Sequence, residues 1–142
     1  DTLDAKGRMS IPTRNRERLI ASSNGEIVVT VDKEHCLLVY PLPDWEELDR
    51  KLERLPSMHK VELRIVRIMD GYATEEDMDG SGRILVSKEL REFASLEKQG
   101  MLIGQGNKFE LWDEETWIEK RDAWLSEEED GELPADLESL SF

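Results

Sequence analysis

Arginines in two similar turns are the residues of this sequence whose types and spacing point to chemistry. The run DAKGR, residues 4–8, returns as DGSGR, residues 79–83, so Asp, Gly and Arg keep the same register. We call these runs the first and second signature turns. An arginine on a turn beside a short helix suits phosphate oxygens and guanine edges, and it also pairs with a nearby carboxylate. From the residues alone, DNA contact and a structural ion pair both remain open.

The charge around the two signature turns differs. Residues 6–18 hold five basic side chains and one acid, a local charge of +4, whereas three bases and three acids cancel across residues 79–92. We therefore expect the first turn to carry more of any attraction to DNA. The residues expected to shape the two turns are Asp4, Gly7, Asp79 and Gly82.

Other kinds of functional site are poorly supported. The run DMDGSGRI, residues 77–84, imitates half of a calcium loop, but Lys88 stands where a bidentate Glu is required. GSG and GQG lack the spacing of phosphate-binding loops, and no Ser/His/Asp or Cys/His arrangement is evident. Cys36 lies in an apolar strand pattern, which is typical of a buried, inert thiol. We expect no enzymatic activity, no metal or other cofactor and no small-molecule substrate.

The composition is that of a soluble protein whose charge is unevenly distributed. The net charge is −14, of which residues 113–142 contribute −10, so the rest of the chain is nearly balanced. No apolar run approaches the ~20 residues that a membrane span needs, and no signal segment is evident, so we expect a cytoplasmic protein. Because the chain begins at Asp1 rather than Met, we also expect that preceding residues have been removed.

The elements that must position the signature turns follow a duplicated plan. Residues 4–17 match residues 79–92 at a shift of 75, and residues 29–45 match 101–117 at a shift of 72. Each half is predicted to contain a turn, a short strand (9–11 and 84–86), a short helix, a hairpin and a closing helix. Apolar residues at helical spacing predict a further helix over residues 58–69.

This plan predicts an α+β fold in four segments. They are a first half over 1–57, a connecting helix over 58–70, a second half over 71–125 and a loose or weakly docked acidic tail over 126–142. Aromatic residues recur at equivalent places in the halves, and we expect them to pack in the core rather than to stack on bases. They are Tyr40, Trp45, Trp112 and Trp117.

Three runs, LDAKGRMSIPTRNRERL, YPLPDWEELDRKL and NKFELWDEETW, resemble the MraZ family of bacterial transcriptional regulators, which is linked to the division and cell wall gene cluster. The resemblance covers residues 3–125 and includes the family's doubled Asp-x-x-x-Arg signature. The signature with its following strand and helix is also similar to AbrB-type swapped-hairpin DNA-binding modules. It implies two tandem AbrB/MraZ-like half-domains that form a pseudo-two-fold, swapped-hairpin, barrel-like core with surrounding helices.

The resemblance also implies a function. Members of this family assemble into homo-oligomeric rings and bind direct repeats in double-stranded promoter DNA, mainly to repress their own operon, which implies association with the nucleoid. The alternative is an oligomeric protein-interaction scaffold with structural arginines and no DNA sequence preference. The candidate DNA-binding residues are Lys6, Arg8, Arg14, Arg16, Arg83 and Arg91, of which Arg14 comes from the basic patch and the others by position.

Overall fold

The computed structural model describes residues 1–54 and 60–130, with side chains up to residue 127. The first half comprises β1 (Arg8–Ser10), α1 (Thr13–Ser23), β2 (Glu26–Val31), β3 (Leu37–Pro41) and α2 (Leu42–Glu53). Helix α3 (Lys60–Tyr72) follows. The second half comprises β4 (Thr74–Asp77), β5 (Arg83–Leu85), α4 (Lys88–Phe93), β6 (Gly100–Gln105), β7 (Lys108–Asp113) and α5 (Glu114–Asp130). The fold is therefore mixed α+β, as predicted.

Five antiparallel strands form the main sheet, in the order β4-β2-β3-β7-β6. The two hairpins meet where β3 pairs with β7, with Leu37 opposite Leu111 and Val39 opposite Phe109. This pairing relates the β2–β3 hairpin to the β6–β7 hairpin by a pseudo-two-fold axis. Across the described ranges β4 and β6 remain edge strands, so no sheet closes into a barrel.

The two short strands β1 and β5 form a separate antiparallel ladder, with Met9 opposite Ile84 at its centre. Each strand begins one residue earlier than predicted. Beyond the ladder, the Ile11 amide donates to the Gly82 carbonyl at 2.8 Å, and the Val86 amide donates to the Gly7 carbonyl at 2.9 Å. These equivalent bonds bring the signature turns of the two halves against the same short ladder.

The strand pairing within the two hairpins shows that the sequence alignment of β2 with β6 is out by one residue. The shift of 72 matches Val29 with Met101, but Val29 lies opposite Val39 while Leu102 lies opposite Leu111. Val39 and Leu111 are equivalent at a shift of 72, so the structural equivalent of Val29 is Leu102, at a shift of 73. The second hairpin has the shorter connection, since residues 32–36 connect β2 to β3 whereas only 106–107 connect β6 to β7.

Apolar side chains cover both faces of the main sheet. One face packs against β1, β5, α1 and α4, through residues such as Met9, Ile84, Leu19 and Leu90. The other face packs against α2, α3 and α5. Its cluster contains Tyr40, Trp45 and Trp112, with Trp117 partly buried against it, so the prediction that these aromatics are core residues is confirmed.

Several helix boundaries differ from the predictions. The second short helix is predicted over residues 88–96 but ends at Phe93, because Ala94 is its cap and Ser95 has a φ of +53°, which a helix does not continue. The start of the helix predicted from residue 58 lies outside the described residues, and α3 is described from Lys60. Residues 126–130, the first part of the expected tail, continue α5; residues 131–142 are not described. In the described ranges, no helix has the length and apolar character to span a membrane.

Candidate nucleic-acid interface

The first signature turn is closed by the carboxylate of Asp4. Its Oδ1 accepts hydrogen bonds from the amides of Lys6 and Arg8, both at 2.9 Å, and its Oδ2 accepts from Arg8 Nε at 3.0 Å. Gly7 has a φ of +82°, a conformation that glycine adopts without strain. Asp4 and Gly7 thus shape the turn, and the carboxylate of Asp4 also holds the Arg8 side chain.

The second signature turn repeats this geometry. Asp79 Oδ1 accepts from the amides of Ser81 and Arg83, both at 2.9 Å, and Oδ2 accepts from Arg83 Nε at 3.0 Å. Gly82 has a φ of +73°. The local ion pair considered from sequence is therefore present in both halves, whatever further role the arginines have.

Hydrogen bonding lowers the pKa of both turn carboxylates. For Asp4 the largest cause is the bond from the Arg8 amide, with further contributions from the Lys6 amide and the Arg8 guanidinium. For Asp79 the corresponding donors are the Arg83 amide, the Ser81 amide and the Arg83 guanidinium. Both carboxylates are consequently ionised at neutral pH and orient the adjacent arginines.

The β1–β5 ladder places the two signature arginines on one surface. Arg83 Nη1 lies 3.9 Å from Asp4 Oδ2, so the second arginine also reaches the carboxylate of the first turn. The side chains of Arg8 and Arg83 are 31% and 34% exposed, which leaves guanidinium donors accessible to a ligand. This pairing brings together residues that are 75 positions apart in the sequence.

The two helix arginines of the predicted set lie differently. Arg16 Nε donates to the Ile11 carbonyl at 2.5 Å, and Arg91 Nε donates to the Val86 carbonyl at 3.1 Å. Both side chains are half-buried. Sequence reasoning placed these arginines on a DNA-facing surface, and it did not anticipate their bonds to backbone carbonyls.

The remaining basic residues of the first half separate into accessible and engaged groups. Lys6 and Arg14 are exposed, and within the described part of the chain their side chains make no hydrogen bond or ion pair. Arg18 instead donates to the Gly106 carbonyl at the tip of the second hairpin, and its guanidinium lies 5.4 Å from the Phe109 ring centre. In the second half, Lys88 lies 3.9 Å from Glu92, consistent with the weaker local charge there.

Two outward-facing ladder residues were missed by the sequence reasoning. Ser10 lies opposite Arg83, and Leu85 lies opposite Arg8, and both are exposed while Met9 and Ile84 are buried. Side chains alternate between the two faces of a strand, and this alternation is the sequence signal that could have placed Ser10 and Leu85 on the same face as the arginines. The accessible surface thus combines two guanidinium groups with a small polar and an apolar side chain.

Comparison with known proteins agrees with the duplicated architecture. The family model for the MraZ protein, described as antitoxin-like, matches twice, over residues 2–68 and 69–131. Transcriptional regulator MraZ of Thioalkalivibrio sulfidiphilus is 51% identical over 141 residues, covering 99% of this chain and 94% of the relative. The protein of that name from Halorhodospira halophila is 52% identical, covering 99% of this chain and 94% of the relative. The one from Salmonella typhi is also 52% identical, covering 98% of this chain and 89% of the relative. The chain therefore belongs to the MraZ family of transcriptional regulators, which are not enzymes.

Proposed function

We propose that this chain is a sequence-specific regulator that binds double-stranded promoter DNA, as a repressor of its own operon in the division and cell wall gene cluster. The observation that carries the proposal is the placement of Arg8 and Arg83 side by side on the β1–β5 ladder. Guanidinium groups on a turn are suited to phosphate and guanine contacts. The names of the relatives support the same role. Binding to promoters implies a cytoplasmic, nucleoid-associated protein.

Within this proposal the accessible basic residues make the contacts. Lys6 and Arg8 are the leading contacts of the first turn, Arg83 is the contact of the second, and Arg14 adds a phosphate contact from α1. Arg16 and Arg91, the other two residues predicted to bind DNA, are half-buried and bonded through Nε to backbone carbonyls, so they are not among the accessible contacts.

An acidic protein can bind DNA in this way because its most acidic segment begins on the opposite side of the main sheet from the signature turns. The signature turns lie beside β1 and β5, which cover one face of the main sheet. Helix α5 leads into the acidic tail and packs on the opposite face through Trp117. We propose that the tail over 126–142 projects away from DNA. We also propose that the chain divides into halves over 1–57 and 71–125, which the segment 58–70 joins. The two halves would form a swapped-hairpin pair.

Assembly into a ring explains how a few contacts suffice. One subunit offers few phosphate contacts, so its own affinity is weak and sensitive to salt. A ring-shaped homo-oligomer repeats one basic surface. Once one subunit is bound, its neighbours meet the DNA at a high effective concentration, so the overall affinity rises above that of a single subunit. Direct repeats spaced by about one helical turn present the same DNA edge to neighbouring subunits.

Arg8→Glu tests the proposed function. The variant should lose binding to a duplex from the promoter of its own operon, because it reverses the charge beside Lys6, and its oligomer mass by light scattering should not change. Arg121→Glu makes the same charge change on α5, where Arg121 is exposed and pairs only with adjacent Asp122 among the described contacts, and it should bind normally. Normal binding of Arg8→Glu at physiological salt would refute the role of the basic surface.

The second candidate is an oligomeric scaffold in which the arginines are purely structural. The ion pairs of Arg8 and Arg83 with their turn carboxylates favour it. This candidate predicts that the wild-type chain binds promoter and scrambled duplexes of equal length with equal affinity. It also predicts that Arg8→Ala lowers the unfolding midpoint without any effect on DNA binding.

A further inference from the structure

Each half of the molecule supplies an arginine that lies against the signature turn of the other half. Arg16, on α1, covers Gly82, where a Cβ atom would overlap the guanidinium end of the side chain. Arg91, on α4, covers Gly7, where a Cβ atom would lie 3.2 Å from Arg91 Nε. The turn glycines therefore provide positive φ angles and also the space that the opposite arginine occupies.

Backbone hydrogen bonds anchor each of these arginines to the ladder that joins the halves. Arg16 Nε donates to the Ile11 carbonyl, and the Ile11 amide donates to the Gly82 carbonyl at 2.8 Å. The same connection runs from Arg91 to Val86 and from Val86 to Gly7. Each arginine thus fixes the residue that bonds the opposite turn, and it also packs on that turn.

The short helices make a second pair of contacts to the opposite half. Arg18 of α1 donates to the Gly106 carbonyl in the β6–β7 connection. Phe93 of α4 stacks on His35 in the β2–β3 connection, with ring centres 4.9 Å apart. The contacts of Arg16 and Arg91 therefore belong to a reciprocal set, in which a side chain from each short helix reaches the other half.

We propose that Arg16 and Arg91 are positioning residues that hold the two signature turns against each other, and that they do not bind DNA phosphates themselves. Arg16 orients the turn that carries Arg83, and Arg91 orients the turn that carries Arg8. A guanidinium supplies the planar donor that this geometry requires, whereas a lysine ammonium does not. The proposal rests on the proposed function for its effect on DNA, but the turn geometry is testable without DNA.

Amide hydrogen exchange on the full chain without DNA is the first test. Arg16→Ala should speed exchange at the amides of Ser81 and Arg83, which lie in the other half, because the turn opens locally more often. Arg91→Ala should speed exchange at Lys6 and Arg8. Arg14→Ala removes an exposed arginine from the same helix as Arg16 and should leave the turns unchanged. Exchange that is unchanged in the opposite turn would overturn the proposal.

A salt titration with the promoter duplex is the second test. Arg16→Lys keeps the positive charge that a phosphate needs but cannot reproduce the Nε–H bond to Ile11. A positioning role predicts that Arg16→Ala and Arg16→Lys weaken binding alike, with an unchanged slope of log affinity against log salt. A phosphate contact instead predicts that Arg16→Lys binds normally and that Arg16→Ala lowers the slope by about 0.9 per subunit. That second pattern would contradict the proposal.

The two tests separate this inference from the proposed function. If the wild-type chain bound promoter and scrambled duplexes equally, the proposed function would fail, while hydrogen exchange would still decide whether the arginines hold the turns. If Arg16→Ala did not fold, Arg16→Lys and Arg91→Lys would decide by the same exchange measurement. Unchanged exchange in both lysine variants would refute the positioning role.

Discussion

At the residue scale, each signature arginine combines a structural contact with accessible donors. The turn carboxylate engages Nε of Arg8 or Arg83, while each side chain remains about one-third exposed. A carboxylate that also binds two amides is fixed in position, so the guanidinium it holds is oriented before a ligand arrives. The structural and DNA-binding interpretations of these arginines are therefore compatible.

Asp79→Asn should make the second turn less stable in a pH-dependent way. The folded-state pKa of Asp79 is lowered from 3.8, chiefly by the Arg83 amide, so its stabilisation is complete above that value and is lost as pH falls through the folded-state pKa. The unfolding midpoint of the variant should lie below that of the wild type at pH 7, and the difference should shrink under acid. Thermal unfolding across a pH series measures this. Ser81→Ala, which keeps the amide donor, should retain the wild-type pH dependence.

Gly82→Ala and Gly106→Ala compare two glycines in the left-handed region. Gly106 has a φ of +64°, and a Cβ added there would meet no neighbouring atom within 4 Å, so its substitution should cost only the backbone strain, about 1–2 kcal/mol. Gly82 has a φ of +73° and faces Arg16, which must move, so the free energy of unfolding of Gly82→Ala should fall further. Denaturant unfolding measures both values, and equal losses would show that Arg16 leaves the turn without cost.

The sequence predicted the turns more fully than the arginines around them. Asp, Gly and Arg at fixed spacing within five residues specify a local turn, so Asp4 and Asp79 could be placed from sequence. The partner of Arg16 is Gly82, 66 positions away, and that contact depends on how β1 pairs with β5. No local pattern contains this information.

At the element scale, the hairpins show why the repeat was aligned one residue out of register. A one-residue slip in a strand moves each side chain to the opposite face. Here both faces of the main sheet are buried, since Val28 and Val29 are both core residues on different faces. An apolar run without alternation could not reveal the slip, which follows from the shorter connection at 106–107.

Asp70→Asn should stabilise the contact between α2 and α3. Partial burial raises the pKa of Asp70, with a hydrogen bond shared with Asp49 and the charges of Asp49 and Glu53 as further causes. A raised folded-state pKa means that the ionised group destabilises the fold at neutral pH, and this cost disappears below the unfolded value of 3.8. We expect a gain of about 0.5 kcal/mol at pH 7, reduced by solvent screening, that vanishes at pH 3.

Chemical denaturation at the two pH values measures the effect of Asp70→Asn. Glu46→Gln removes a carboxylate from an exposed position on α2 and is the matched control. A gain of the same size in the control at pH 7 would attribute the effect to net charge rather than to the facing acids. A gain that persisted at pH 3 would also contradict the assignment.

At the scale of the whole molecule, a nearly symmetric framework carries an asymmetric charge distribution. The two signature turns have matching hydrogen bonds, yet Lys6 is replaced by Ser81 in the second. The backbone pseudo-symmetry follows from duplication of the strands and turns. The difference in charge is confined to exposed side chains, which can change without altering the turn, so the two halves can differ in function while they share one geometry.

Ser81→Lys should therefore make the second turn resemble the first in its DNA binding. Only the Ser81 amide is used by the turn, where it donates to Asp79, and the exposed side chain can be replaced without loss of that bond. The added ammonium lies near Arg83 in sequence, as Lys6 lies near Arg8. Affinity for the promoter duplex should rise, and the slope of log affinity against log salt should steepen by about 0.9 per added phosphate contact. Ser81→Gln, which extends the side chain without charge, should leave the slope unchanged. If Ser81→Lys left both affinity and slope at wild-type values, the second turn would not face the DNA backbone, and the first turn alone would form the interface.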